Sequence, residues 1–349
     1  MGFKKYDAAA EEQKAEQEKQ LKEDEKSSFS LMVEENNKEI EELEALPLDE
    51  IQENIIKNIE VSREAYLAST KKQKKYSGLI SAGVLLVMVG ALVLMVTLSS
   101  SVPWITYVSL AIMIVALTST FLTTKLFRKK LSASADIYIK TLYTEVNNYL
   151  FRDKEKFANL DIQPNGQMKD EIFMDARFYK NLRGTKSRNL VAVDYKGKLL
   201  GISDLAGNVL VKNRLSPMFL GKLYDYPNTY SQEDKRIIVQ IKGGELSRPV
   251  DDIDDLKLVD GTKTYAIYTN DENYKKVLPQ KTLDQILKLK VDKTLIDVIV
   301  SIRPGKTCIG IDYVDEFLNI PVQSKFDFNN VKRQESDLNK VLNILDQIQ

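Results

Sequence analysis

The densest cluster of carboxylates in the sequence is Asp251-Asp252-Ile253-Asp254-Asp255. Carboxylate oxygens are the ligands that Mg²⁺ and Ca²⁺ prefer, so this segment is the first candidate for a metal site. A calcium-binding loop needs ligands at alternate positions, an early glycine and a distant bidentate glutamate, and the segment lacks that spacing. The pattern therefore favours a solvated acidic turn, and we expect no metal ion there.

Gly305-Lys306-Thr307 matches the last three residues of the phosphate-binding loop of nucleotide-binding proteins. The complete motif also needs a glycine five residues before Gly305, where this chain has Val300. The tripeptide also lies in a predicted hairpin turn, whereas the phosphate-binding loop opens a helix. The sequence therefore predicts no nucleotide site and no cofactor.

The chain has a single cysteine, Cys308, and no histidine. Without histidine there is no Ser-His or Cys-His nucleophile pair and no imidazole metal site. One cysteine excludes an internal disulfide and every multi-cysteine zinc or iron–sulfur site. Cys308 lies in an apolar strand pattern, which predicts a packed core thiol and not a nucleophile.

A basic stretch precedes the first predicted strand and comprises Lys180, Arg183, Lys186 and Arg188. Such a loop can contact lipid phosphates or nucleic acid, and a solvated loop near an anionic membrane explains it equally well. No aromatic-rich nucleic-acid module accompanies it. We therefore do not expect nucleic acid to be a partner.

The elements that position these groups are organised by charge and hydropathy. The 349 residues carry no net charge, but residues 1–50 hold 16 acidic and 7 basic side chains, whereas residues 51–75 hold 3 acidic and 6 basic ones. From Tyr76 to Thr124 no residue is charged. The acidic residues 1–50, the basic residues 51–75 and the long uncharged run that follows indicate a chain organised around a membrane.

The uncharged run at 76–124 is long enough for two membrane spans and a turn, because one span needs about 20 helical residues. We place the spans at Gly78–Leu98 and Pro103–Thr123, with a break at residues 99–103 that contains three serines and Pro103. A very hydrophobic buried hairpin in a soluble protein is the alternative. Trp104 and Tyr107 are typical of interfacial aromatic anchors.

Eight cations flank the two predicted spans: Lys71, Lys72, Lys74, Lys75, Lys125, Arg128, Lys129 and Lys130. The positive-inside rule places both flanks, and hence both termini, in the cytoplasm of a two-span protein of the inner or plasma membrane. These cations can also bind anionic lipid headgroups at about 1 kcal/mol each. The alternative is that they set topology alone.

Residues 1–75 form an acidic arm that we expect to be helical or partly disordered, because its first part lacks an apolar face. Closer to the spans, an apolar stripe recurs every three to four residues, at Leu48, Ile51, Ile55, Ile59 and Tyr66. A partner helix, self-association as a coiled coil, or the protein's own soluble domain would bury such a stripe. We expect either a protein partner or self-association through this arm.

Beyond the spans we expect a juxtamembrane helical segment at 125–184, with helices at Leu131–Arg152 and Lys169–Leu182, the second ending near Gly184. A cytoplasmic domain at 185–349 is predicted to be an antiparallel sheet with flanking helices, an α+β fold. Lys196-Gly197-Lys198 and Pro304-Gly305 are its predicted hairpin turns.

Two helices of this domain are also predicted. Thr282 and Gln285 form a predicted capping box at the start of one of them. The other is the last helix of the chain, whose apolar stripe is Leu338, Val341, Leu342, Leu345 and Ile348.

Several short segments of this domain follow one another in a characteristic order and spacing. They are Phe219-Leu220-Gly221-Lys222-Leu223, Tyr265–Glu272, Leu278-Pro279, the Leu283–Leu289 helix and the Ile296–Tyr313 hairpin. Together with the final helix, they cover about residues 185–345 and resemble a bacterial membrane-protein family, the domain-of-unknown-function family numbered 3137. Its members often pair a membrane hairpin with such a domain and are often encoded beside LemA-type proteins. The family has Leu-Thr-Pro where this chain has Val277-Leu278-Pro279. The resemblance implies the architecture but no activity or ligand.

We therefore expect a membrane-anchored scaffold or adaptor that binds another protein through its cytoplasmic parts. The alternative is a membrane-tethered, metal-dependent enzyme that uses carboxylates on a lipid or envelope precursor. No catalytic residue is predicted from the sequence.

Overall fold

A computed structural model describes residues 34, 38–98, 104–179, 182–211, 214–242, 256–262, 265–289, 295–313 and 322–348. In these residues the protein is α+β, with seven helices and one nine-stranded antiparallel sheet. The chain divides into two compact units. The helical unit contains residues 49–149 and 320–327, and the sheet unit contains the remaining residues.

The helical unit consists mainly of α2 (Glu50–Leu98) and α3 (Trp104–Leu150). α2 begins after Pro47 with a reciprocal cap that the sequence analysis did not identify. The backbone N–H of Gln52 donates to Asp49 Oδ1 at 2.8 Å, and the backbone N–H of Asp49 donates to Gln52 Oε1 at 3.2 Å. Each side chain thus satisfies a backbone donor that the first turn of a helix leaves free.

α2 and α3 lie antiparallel along most of their length, as contacts at successive levels show. Gln52 Nε2 donates to the Tyr149 hydroxyl at 2.8 Å, the Tyr66 and Tyr138 rings stack at 6.2 Å, and Tyr76 stacks on Phe127 at 6.0 Å. The predicted spans and the predicted helix at Leu131–Arg152 are therefore parts of two continuous helices. The predicted break at residues 99–103 lies outside the described residues.

The sheet unit contains helix α1 (residues 38–45), four further helices and the sheet. The helices are α4 (Asp170–Ala176), α5 (Tyr274–Val277), α6 (Gln280–Leu289) and α7 (Asn329–Gln347). The strands are β1 (Phe157–Gln163), β2 (Leu182–Tyr195), β3 (Lys198–Val211), β4 (Arg214–Pro227), β5 (Ile237–Lys242), β6 (Lys257–Gly261), β7 (Tyr265–Thr269), β8 (Leu295–Arg303) and β9 (Lys306–Tyr313). They are ordered β1-β2-β3-β4-β9-β8-β5-β7-β6.

Both predicted hairpin turns are confirmed. Lys196 and Gly197 have φ values of 51° and 75° between β2 and β3, as a two-residue turn that follows the twist of its strands requires. Gly305, with φ 73°, turns the chain from β8 into β9. The antiparallel sheet follows from such local turns, because each long hairpin pairs strands that are adjacent in the sequence.

Two helix boundaries were predicted wrongly. The helix expected at Lys169–Leu182 is only α4, and Leu182 already begins β2, so Gly184 lies in a strand. The helix α6 begins at Gln280, directly after Pro279, so Thr282 is not its cap. Thr282 is buried inside the helix and donates its hydroxyl to Gln347 Oε1 at 3.1 Å. The strands β1 and β6 were not predicted.

Helices pack on both faces of the sheet. On one face, α4 and neighbouring side chains enclose a cluster that includes Phe173, Phe178, Phe219, Leu223 and Cys308. On the other face, the hydroxyls of Tyr195 and Tyr313 donate to Asp346 and Asp337 of α7 at 3.0 and 3.2 Å. The predicted apolar stripe of the last helix is confirmed, because all five of its residues are buried.

Candidate membrane interface

The uncharged parts of α2 and α3 expose an apolar surface along both helices. Each helix is long and apolar enough to cross a membrane. Only 6% of the most apolar 18-residue stretch of α2 is buried, and none of the corresponding stretch of α3. Monomeric soluble proteins seldom expose contiguous apolar patches of more than a few hundred Å². The exposed side chains include Leu79, Leu85, Leu86, Val89, Leu92, Val96, Leu110, Ile114, Val115, Leu117, Phe121 and Leu122.

The two helices meet along a narrow seam of small residues and methionines. The less exposed positions recur every three to four residues, as expected where one helix packs along another. Ala91 on α2 and Ser109 on α3 are the most buried residues of the seam, at 3% and 1% exposure. The seam residues are Ile80, Val84, Met88, Ala91 and Met95 on α2, and Thr106, Ser109, Met113, Ala116 and Thr120 on α3.

The antiparallel pairing brings the two basic flanks to one level. Lys71, Lys72, Lys74 and Lys75 precede Tyr76, while Lys125, Arg128, Lys129 and Lys130 surround Phe127, and these two rings stack on each other. All eight cationic residues are exposed. We call these eight residues the basic collar.

The distance from the collar to the far end of the hairpin fits one hydrocarbon layer. At about 1.5 Å per residue, α2 continues for about 33 Å from Tyr76 to Leu98, against about 30 Å for the hydrocarbon core. Trp104 and Tyr107 lie in the first turn of α3, at the opposite end from the collar, and are 63% and 75% exposed. Cations thus mark one end of the apolar stretch and exposed aromatic rings mark the other.

The predicted partner-helix stripe is divided by the structure. Ile55 and Ile59 are buried and Tyr66 is half-buried against Tyr138 of α3, whereas Leu48 and Ile51 are exposed. Sequence reasoning considered a partner helix, a second copy and the soluble domain, but not the second helix of the same hairpin. Only the N-terminal end of the stripe remains accessible.

A buried ion pair on α2 holds the segment that follows residue 321. Arg63 donates from Nε and Nη2 to the carboxylate of Glu60 at 2.6–3.0 Å, and from Nη1 to the Val322 carbonyl at 3.1 Å. The backbone N–H of Phe326 donates to Glu60 Oε1 at 2.6 Å. The hydrogen bond from Arg63 lowers the pKa of Glu60 against the opposing effect of burial. The pair therefore fixes residues 322–326 on α2.

The end of the acidic arm packs on α7. Lys332, which is buried, donates to the carbonyls of Leu43 and Leu46 at 3.1 and 2.8 Å, next to the C-terminus of α1, where cations are favourable. Arg333 donates to Glu44 at 2.6 Å. This part of the arm is thus held by α7, and residues 1–33 lie outside the described residues.

Two of the reactive groups considered in the sequence, Cys308 and Lys306, are buried or paired. Cys308 is fully buried, burial raises the pKa of its thiol to about 12, and the prediction of a packed core thiol is confirmed. Lys306, the first residue of β9, pairs with Asp225 of β4 at 2.8 Å. Asp251–Asp255 and Lys180 lie outside the described residues. The rest of the basic stretch, Arg183, Lys186 and Arg188, belongs to β2 and not to a loop.

Sequence reasoning missed two buried groups of charged residues in the sheet. Lys222 Nζ lies 2.9 Å from Asp204 Oδ1, and Asn189 Nδ2 donates to Asp204 Oδ2 at 3.2 Å. On neighbouring strands, Asp312 and Asp297 lie opposite each other, each 3% exposed. Asp204 is recognised as a charge inside a strand only once the length of β3 is known, and the juxtaposition of Asp297 and Asp312 depends on the register of β8 and β9.

A comparison of the chain with protein-family models, curated proteins and solved structures found no match.

Proposed function

We propose that this chain is an integral membrane protein whose α2–α3 hairpin anchors it with both ends in the cytoplasm, and that it acts as a scaffold or adaptor at the membrane. The observation that carries the anchor is the exposed apolar hairpin with cations at one end and aromatic rings at the other. In water this apolar surface would cost about 25 cal/mol per Å², whereas lipid solvates it. The domain-of-unknown-function resemblance is consistent with the same architecture.

The second half of the proposal, a binding role, is supported by where the charged groups lie. Asp204, Lys222 and Asp312 are each no more than 5% exposed and are enclosed by the sheet unit, so a substrate in solvent does not reach them. Leu48 and Ile51, at the accessible end of the partner-helix stripe, are 40% and 59% exposed. A protein partner or a second copy would bury these two side chains. The metal-dependent enzyme rests on Asp251–Asp255, which lie outside the described residues.

The anchor is tested by the position of single cysteines. Because Cys308 is buried and its thiol pKa is raised, an introduced cysteine is the only readily labelled one. In intact cells, a membrane-impermeant maleimide should label Ser100→Cys without permeabilisation. Lys154→Cys should react only after permeabilisation. The protein should also stay in the membrane pellet after carbonate extraction, and its release into the supernatant would refute the anchor.

The scaffold role is tested by crosslinking in native membranes. We expect the full chain to capture one protein in stoichiometric amount, and the variant Leu48→Ser with Ile51→Ser to lose it. Both side chains are exposed, so these substitutions should leave the fold of the described residues intact. If both chains capture only themselves or lipid, the adaptor role is wrong, and the mass of the crosslinked species shows whether the chain assembles with itself.

A further inference from the structure

A polar notch lies between α2 and α3 at the level of the basic collar. Its lining combines four polar and two apolar side chains, as befits the boundary between headgroups and hydrocarbon. The lining residues are Gln73, Ser77, Ile80, Ser81, Thr124 and Phe127. Phe127 is also the ring that stacks on Tyr76, so the notch belongs to the pairing that aligns the two flanks of the collar.

The polar side chains of this notch have unused hydrogen-bonding capacity. Within the described part of the chain, the side chains of Gln73, Ser77, Ser81 and Thr124 make no hydrogen bond to another protein group. Other hydroxyls of the same helices differ in this respect. Thr97, Thr118, Thr120 and Thr123 each donate to a carbonyl one turn earlier, at 2.7–2.9 Å. The notch therefore presents donors that a ligand can use.

The charge around the notch is of one sign. Between Glu64 and Asp136 the sequence contains no acidic residue and eight cationic ones, the members of the collar. Lys74 lies one helical turn before Ser77, and Arg128 lies one turn after Thr124, so a cation flanks the notch on each helix. Hydrogen-bond donors between unneutralised cations are suited to a phosphate group.

We infer that this notch binds the phosphate of an anionic phospholipid, with Ser77, Ser81 and Thr124 donating to its oxygens and Lys74 and Arg128 supplying the charge. Ile80 and Phe127 contact the first part of the acyl chains. A zwitterionic headgroup carries its own cation, which the collar repels, so its phosphate does not approach the donors of the notch. The site thus selects for net negative headgroups of the cytoplasmic leaflet. This inference rests on the membrane anchor proposed above.

The test uses the full chain in nanodiscs of phosphatidylcholine, alone or mixed with phosphatidylglycerol, with native mass spectrometry to count the lipids that stay bound after release. We expect phosphatidylglycerol to be enriched on the protein. Ser77→Ala combined with Thr124→Val should reduce that enrichment about 100-fold, because each of the two lost hydrogen bonds to a charged group contributes at least the 1.4 kcal/mol that makes a tenfold difference in binding. Lys74→Gln with Arg128→Gln should reduce it further.

The matched control is Thr118→Val with Ser119→Ala, which removes two hydroxyls from α3 outside the notch and should leave the enrichment unchanged. Equal loss in the control and notch variants overturns the inference, as does an enrichment that depends on the collar but not on the notch. Inorganic phosphate is added to phosphatidylcholine nanodiscs as a separate arm. Phosphate binding with the same dependence on the notch would show that the ligand is free phosphate and not lipid.

Failure of the lipid site and failure of the anchor are distinguishable. Each variant is first tested for resistance to carbonate extraction. A chain that stays in the membrane but shows no enrichment of phosphatidylglycerol overturns the lipid site alone. A chain that carbonate releases overturns the anchor and the lipid site together.

Discussion

Replacing Lys222 by methionine is expected to lower the free energy of unfolding of the sheet unit by about 3–5 kcal/mol. The ammonium group lies 2.9 Å from Asp204, and the two side chains are 7% and 3% exposed. Methionine keeps most of the volume of the lysine stem but leaves the Asp204 carboxylate buried without its cation. The hydrogen bond from Asn189 compensates only part of that charge. Denaturant unfolding of the full chain in detergent measures the change.

A double variant separates the loss of charge pairing from a packing defect. Lys222→Met combined with Asp204→Leu removes both charges and should recover most of the lost stability, because an apolar pair of similar volume often replaces a buried ion pair without cost. Lys186→Met, an exposed substitution on β2, should change stability by less than about 0.5 kcal/mol. If the double variant is as unstable as Lys222→Met, packing and not the buried charge causes the loss.

This ion pair illustrates what could not be predicted from the sequence. Asp204 and Lys222 are 18 residues apart, and the sequence alone does not indicate that they pair. In the structure β3 continues to Val211, and Asp204 lies opposite Lys222 of β4 in the register. The pairing of these two charges depends on the register of the β3–β4 hairpin, and that register shifts between Gly207 and Asn208.

The Phe219–Leu223 segment shows a similar limit. The order of its residues supported the resemblance to a family, but their physical roles emerge only from the fold. Phe219 and Leu223 lie in the core, and Lys222 pairs with Asp204. Gly221 lies where β4 approaches β9 so closely that a Cβ would overlap the carbonyl oxygen of Ile311.

Local patterns, in contrast, predicted the hairpin turns, the final helix and the long apolar helices correctly. Each of them depends on residues close in sequence: a two-residue turn, a helical repeat or an uncharged run. The collar was also visible as charge, but its alignment across two helices and the notch between them depend on how α2 and α3 pair. The partner of the Ile55–Ile59 stripe was not predicted for the same reason.

A second large effect is expected from Asp312→Asn, and it should depend on pH. Burial raises the pKa of Asp312 from its ordinary 3.8 to about 7, the nearby Asp297 raises it too, and the hydrogen bond from the Leu220 N–H opposes both. The folded protein therefore holds a proton that the unfolded chain releases. The stabilisation that the protonated Asp312 side chain provides is fully present below about pH 4, and it is lost as the pH rises to about 7. The difference corresponds to about 4 kcal/mol.

Asparagine keeps an oxygen that can accept from the Leu220 N–H, which lies 2.8 Å from Asp312 Oδ1, but it cannot ionise. The variant and the unmodified chain should therefore have nearly the same free energy of unfolding at pH 4. At pH 8 the variant should be more stable by about 4 kcal/mol. Asp161→Asn, on the exposed side of β1, should show no such trend. The pH-dependent difference isolates Asp312 from the other carboxylates, which titrate in both chains. A difference of the same size at both pH values would mean that the pKa of Asp312 is the same in the folded and the unfolded chain, and would refute the prediction.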